Sequence, residues 1–120
     1  METLTVREAS ALTRLSAHTL RYYERAGLIE PVARTATGHR RYARGDLEHL
    51  QFLHCLRASG MPIRRMQEFA ALVRQGAAAR PAALALLESH REDVKGQLAE
   101  LTDSLRIVEA KIDRFSSIPQ

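Results

Sequence analysis

Two clusters of arginine and tyrosine carry the chemistry that this sequence offers. RYYER sets Arg21, Tyr22, Tyr23, Glu24 and Arg25 in a row, and HRRY sets Arg40, Arg41 and Tyr42 behind a histidine. Guanidinium groups and tyrosine hydroxyls donate hydrogen bonds to phosphate oxygens, so such clusters suit a surface that grips a polyanion. Covalent catalysis asks instead for a nucleophile with a base in reach, and the one cysteine, Cys55, has His54 as its chain neighbour. Adjacent residues on a helix diverge by about 100°, which turns that imidazole away from its thiol. A thiol-dependent enzyme is therefore the weaker reading, and no catalytic residue is assigned. One cysteine also rules out an intrachain disulfide and paired-cysteine metal sites, and the scattered His and Asp residues suggest no other metal and no cofactor.

The elements that must position these clusters are short, and the sequence marks their ends. Thr5 caps a helix through Val6, Ala9 and Leu12, with Glu8 at the capping-box position. Ser16 caps a second helix, Ala17 to Arg25, which Gly27 stops. Two helices joined by a tight turn suggest helix-turn-helix. Leu28 to Val32 and His39 to Tyr42 read as extended segments around Gly38, the outline of a β-hairpin wing. Asp46 caps a helix from Leu47 to Ser59, and Pro62 opens another that runs to about Gln75. On the second helix Ala17, Leu20 and Tyr23 share the inward face, while His18, Arg21, Tyr22 and Arg25 point outward and His18 and Thr19 can reach base edges in a major groove. On the third, Leu47, Leu50, Leu53 and Leu56 sweep one arc and Cys55 falls nearly opposite its middle. That position leaves Cys55 open to two readings, a packing residue or a reachable thiol.

Beyond the stretch GAAARP the period changes. Leu84, Leu87, Val94, Leu98, Leu101, Leu105, Val108, Ile112 and Phe115 alternate in steps of three and four once Arg91 is admitted, so nine of ten heptad positions are apolar. The front half is too small to cover so long a stripe, which makes a second copy of the chain its natural cover. The chain of 120 residues carries a net charge of +4. Residues 1–75 hold 12 basic against 7 acidic side chains, and residues 76–120 hold 6 against 7, so the positive charge belongs to the front. This predicts a mainly α protein: a winged helix-turn-helix DNA-binding domain over 1–75 with a small β-hairpin wing, a linker over 76–82, and a coiled-coil dimerisation helix over 83–118. A rival reading makes the coiled coil the working part of a protein-interaction adaptor. With no apolar N-terminal segment and no run of about eighteen apolar residues, a cytoplasmic protein without membrane contact is expected.

RYYERAGLIEP, then GHRRY, then a helix ending LRASGMPI, then a long coiled coil together resemble the MerR family of bacterial transcription regulators, over nearly the whole chain. The resemblance implies a homodimer, joined through an antiparallel coiled coil, that binds double-stranded promoter DNA with an overlong spacer and distorts it so that RNA polymerase can engage. Carried over by position, the base-proximal surface is Ser16, His18, Thr19 and Arg21, and the backbone contacts are Tyr22, Tyr23, Arg40, Arg41, Tyr42 and Arg57. Tyr23 then stands between its inward place on the helix and a phosphate contact. FLHCLRASGMPI looks like the NmlR/AdhR branch, in which a cysteine of this helix responds to aldehydes or to nitrosative or oxidative stress. That makes Cys55 the candidate sensor of a small electrophile. The branches that sense metals or drugs carry further residues or a further domain after the dimerisation helix, where this sequence shows SSIPQ.

Overall fold

The computed structural model describes residues 3–118. The first two residues of the predicted 1–75 domain and the last two of SSIPQ lie outside that range. The order of elements is α1 (Val6–Thr13), α2 (Ala17–Arg25), β1 (Ala33–Arg34), β2 (Arg40–Arg41), α3 (Arg44–Ala58), α4 (Ile63–Arg74), a 3-10 turn (Gly76–Ala79) and α5 (Arg80–Ser116). The chain divides into two compact units, one reaching to Ala83 and one beginning at Leu84.

Both expected caps of the front helices are in place. The Thr5 hydroxyl accepts from Glu8 N–H at 3.1 Å while Thr5 N–H donates to Glu8 Oε1 at 2.9 Å, and Ser16 accepts from Thr19 N–H at 3.0 Å. Between the two helices the chain turns through Arg14, whose φ of 62° is left-handed. Thr13 secures that turn from below, its buried hydroxyl donating to Ala9 C=O at 2.7 Å and accepting from Leu15 N–H at 3.2 Å. Helix α2 ends as its sequence requires: Gly27 takes φ 78°, a conformation that costs a residue without a Cβ little, and Leu28 N–H returns to Tyr23 C=O at 3.0 Å.

Three boundaries differ from the sequence reading. Leu28, Ile29 and Val32 are not a strand; they are buried core residues of a loop, and the paired strand starts one residue later, with Ala33 facing Arg41 and Arg34 facing Arg40. Asp46 is not the cap of α3 but its third residue, reaching back to accept from Ala43 N–H at 2.9 Å, so the helix starts at Arg44. The expected linker over 76–82 is helical throughout, because its alanines favour helix and Pro81 sits in the first turn of α5, where no N–H is needed.

Helix α1 packs on α2 and α3, and α3 on α4. Their common core holds Leu20, Leu28, Leu50, Leu53, Tyr42 and Met66, each essentially without solvent contact. The four leucines of the α3 arc are all buried, and Cys55 is exposed. Along α5, which at 37 residues spans about 55 Å, Leu98, Leu101, Leu105, Val108, Ile112 and Phe115 are 54–69% exposed, as is Leu84 at 55%, while Leu87 and Val94 are half-buried. Leu86, which lies off the heptad pattern, is the buried residue of that helix.

Candidate nucleic-acid interface

Helix α2 and the wing are fastened together by one carboxylate. Glu24 Oε1 accepts from Arg40 Nε at 2.6 Å and Glu24 Oε2 from Val32 N–H at 2.8 Å, with the two side chains only 9% and 18% exposed. Burial works against the Glu24 charge, but the bonds from Arg40 and from Val32 N–H outweigh it and hold the carboxyl below its usual range. The other edge of the wing is tied to the chain's start. Leu4 and Tyr42 exchange both backbone hydrogen bonds, at 2.7 and 2.8 Å, and Arg41 donates from Nε to Thr3 Oγ1 and from a terminal nitrogen to Thr3 C=O, both at 3.0 Å. The hairpin loop is closed by Thr35, which accepts from His39 N–H at 3.1 Å, and by the Thr37 hydroxyl 2.9 Å from His39 Nδ1.

These fastenings frame a cleft of about 330 Å³ lined by Thr5, Val6 and Arg7 at the start of α1, Arg21 on α2, and Gly38, His39, Arg40 and Arg41 on the wing. Four arginines therefore line one concavity. Arg40 and Arg41 each spend part of their donor fork on the protein and present the rest, whereas Arg7 and Arg21 are exposed and make no ion pair among the described residues. Arginines in that number suit the cleft to an anion.

The predicted contact residues separate into an outer and an inner set. Ser16, His18, Arg21, Tyr22 and Arg57 are exposed, and Thr19, Arg40 and Arg41 are half-buried. Ser16 and Thr19 also bond each other through their hydroxyls at 3.0 Å, beside the Ser16 cap. Tyr23 is 3% exposed, which raises its phenol pKa, and the Arg57 charge acts on that phenol in the opposite sense, so α3 brings a cation up to the tyrosine of α2. Tyr42 departs from the expected backbone contact. Its ring is fully buried, its hydroxyl has no hydrogen-bond partner among the described residues, and burial raises its pKa against the nearby charge of Arg40. Strand alternation explains the departure: the Leu4 pairing continues the extended chain to Tyr42 and sets its side chain on the face opposite Arg41.

Arg7 was missed by sequence reasoning, since it lies outside both clusters and reaches the cleft only because α1 begins beside the wing. Among the described residues no group of His, Cys, Asp and Glu could hold a metal ion, and no helix is long and apolar enough to cross a membrane.

Comparison with known proteins adds to this geometry. Residues 4–72 match the family model described as MerR HTH family regulatory protein, and residues 47–113 match MerR, DNA binding. An uncharacterized HTH-type transcriptional regulator of Haemophilus influenzae is 36% identical over 110 residues, covering 92% of this chain and 82% of the relative. The regulator AdhR of Bacillus subtilis is 44% identical over 62 residues, 52% of this chain and 44% of its own length. Among solved structures, HiNmlR, a MerR family regulator lacking the sensor domain and bound to promoter DNA, superposes with a TM-score of 0.87 at 34% identity, covering 96% of this chain and 91% of that one.

Proposed function

Since the chain belongs to the MerR family and is a DNA-binding transcription regulator, we propose that it acts as a homodimer on double-stranded promoter DNA, with Arg21, Arg40, Arg41 and Arg7 taking phosphates at the wing cleft. The observation that carries this reading is the convergence of four arginines on one cleft beside the exposed face of α2. His18 and Thr19, near the start of α2, then read base edges, and Tyr22 and Arg57 extend the backbone contact. Tyr23 supports α2 from the core and presents its phenol to Arg57.

Dimerisation through the apolar face of α5 sets two such units on one duplex, where distortion of the spacer lets RNA polymerase engage. The exposed stripe from Leu98 to Phe115 supports it, because a helix with that much uncovered apolar surface gains from a partner. Leu84, Leu87 and Val94 extend the same pattern toward the start of the helix. The protein does its work in the cytoplasm as a binding protein, not as an enzyme. Cys55 is the point at which a small electrophile or oxidant acts: it is exposed, on the side of α3 away from the buried leucines. Modification there alters promoter output by shifting the DNA-bound dimer between two states rather than by releasing it.

Transcription in vitro from a palindromic promoter with an overlong spacer tests the reading. Purified protein should change transcript yield with polymerase, and the effect should vanish when the spacer is shortened to ordinary length. An unchanged effect on the shortened promoter would remove distortion from the mechanism.

A further inference from the structure

A helix leaves the carbonyls of its last turn without partners inside the helix, and donors from elsewhere must take them. At the end of α2 the chain itself serves three: Ala26, Leu28 and Gly27 N–H donate to Tyr22, Tyr23 and Glu24 C=O. Two further donors come from α4, which packs on α3 and lies far along the chain. Gln67 Nε2 donates to Ala26 C=O at 2.9 Å, and Arg74 donates from a terminal nitrogen to Gly27 C=O. Arg74 Nε at the same time donates to Glu30 Oε1 at 3.0 Å, which fixes the plane of the guanidinium. Gln67 and Arg74 stand two turns apart on α4, so both bonds come from one edge of that helix.

Resting on the reading of α2 as the element that meets base edges, we propose that Gln67 and Arg74 are positioning residues for sequence readout. They hold the end of α2 so that His18 and Thr19 keep their setting against the groove. The bonds suit that work better than they suit stability. Gln67 is exposed, and Arg74 and Glu30 are 40% and 74% exposed, so water competes for each of these groups and their loss costs the fold little. Their targets are not scattered. Two side chains on one edge of α4 take consecutive carbonyls at the end of a single other helix, and the cation of the two sits where the helix dipole is negative.

Helix α2 has nine residues, of which Leu20 and Tyr23 are buried, a narrow strip of packing about which so short a helix can roll. Polar ties oppose that motion along its length. Ser16 caps its start, Glu24 joins it to Arg40 and Val32 of the wing, and Gln67 and Arg74 join its end to α4. Neither α4 side chain needs to touch DNA for this. What they supply is discrimination between sequences rather than attraction to phosphate, so their removal lowers the ratio of specific to unspecific affinity and leaves the salt dependence alone.

The full-length protein tests the proposal, with a duplex that the parent selects from a random-sequence pool and a scrambled duplex of the same composition as probes. Affinities of the parent, Gln67→Ala and Arg74→Ala for both duplexes are titrated over salt, at a temperature where circular dichroism shows all three folded. Each variant should lose about ten-fold in the ratio of selected to scrambled affinity, the discrimination that about one base contact supplies, with the salt slope unchanged. Arg74→Lys, which keeps a donor for Gly27 C=O, should recover part of the loss. Equal ratios in parent and variants, with or without a change in melting temperature, overturn the proposal and make these bonds merely structural. A salt slope shallower by about one unit per protomer also overturns it, making Arg74 a phosphate contact. Should Arg74→Ala fail to fold, Gln67→Ala decides by the same ratio. A parent that selects no duplex overturns the DNA-binding reading itself, and the proposal with it.

Discussion

Replacing Glu24 by alanine probes the joint between the recognition helix and the wing. The carboxylate holds Arg40 Nε at 2.6 Å and Val32 N–H at 2.8 Å from a site 9% exposed. A hydrogen bond to a charged group contributes about 1.5–3 kcal/mol. Alanine removes two of them and leaves a largely covered guanidinium and a backbone amide without partners. Because Arg40 keeps some solvent contact, its lost Coulomb energy is partly screened, and the sum comes to about 2–4 kcal/mol. Urea unfolding followed by helical circular dichroism measures it, with Glu24→Gln as the milder comparison, since glutamine keeps an acceptor and loses the charge. The same bonds give a pH dependence. The folded carboxyl lies below its usual range, so its contribution is complete above the unfolded value of about 4.3 and is lost as the pH falls from there through the folded value. The stability gap between the parent and Glu24→Gln should therefore narrow in acid. A loss below about 0.5 kcal/mol for Glu24→Ala, or a gap independent of pH, would refute the reasoning.

The buried Tyr42 hydroxyl has no partner among the described residues, so Tyr42→Phe should raise stability by about 1 kcal/mol and leave DNA affinity within two-fold; a ten-fold loss of affinity would return this residue to the contact surface. Leu101→Asp puts a charge into the apolar stripe of α5 and should give monomers by sedimentation at concentrations where the parent is a dimer, and an intact dimer would move the interface elsewhere. Cys55 should be alkylated by iodoacetamide in the folded protein, and Cys55→Ser should bind its operator as the parent does while losing induction; resistance to alkylation before unfolding would make Cys55 inaccessible as a sensor.

What the sequence discloses and what it hides follow from how local the cause is. The Thr5 and Ser16 caps and the leucine arc of α3 are set by residues three or four apart, and all are found where the spacing puts them. Leu28, Ile29 and Val32 are apolar enough to suggest a strand, yet the turn after Gly27 delivers them into the core. An aspartate before leucines commonly caps a helix, but Asp46 serves the Ala43 amide from the third helical position. The partners of Arg40 and Arg41, Glu24 and Thr3, lie far away in sequence, and so does Leu4, whose backbone bridge holds Tyr42 in place. No local pattern marks such pairings, so the cleft and the part of Arg7 in it emerge only from the fold.

The most direct test of the central claim, that the arginine cleft takes the DNA backbone, is the affinity for a promoter duplex titrated over salt, for the parent and for Arg21→Ala. Arg21 is exposed and makes no ion pair among the described residues, so its loss should leave the fold intact. The parent should weaken steeply as salt rises, with log K against log salt falling by about 0.9 per phosphate held. In Arg21→Ala the slope should be shallower by about one unit per protomer, and affinity should drop at low salt. A parent affinity indifferent to salt, or an Arg21→Ala slope and affinity equal to the parent's, would contradict the account.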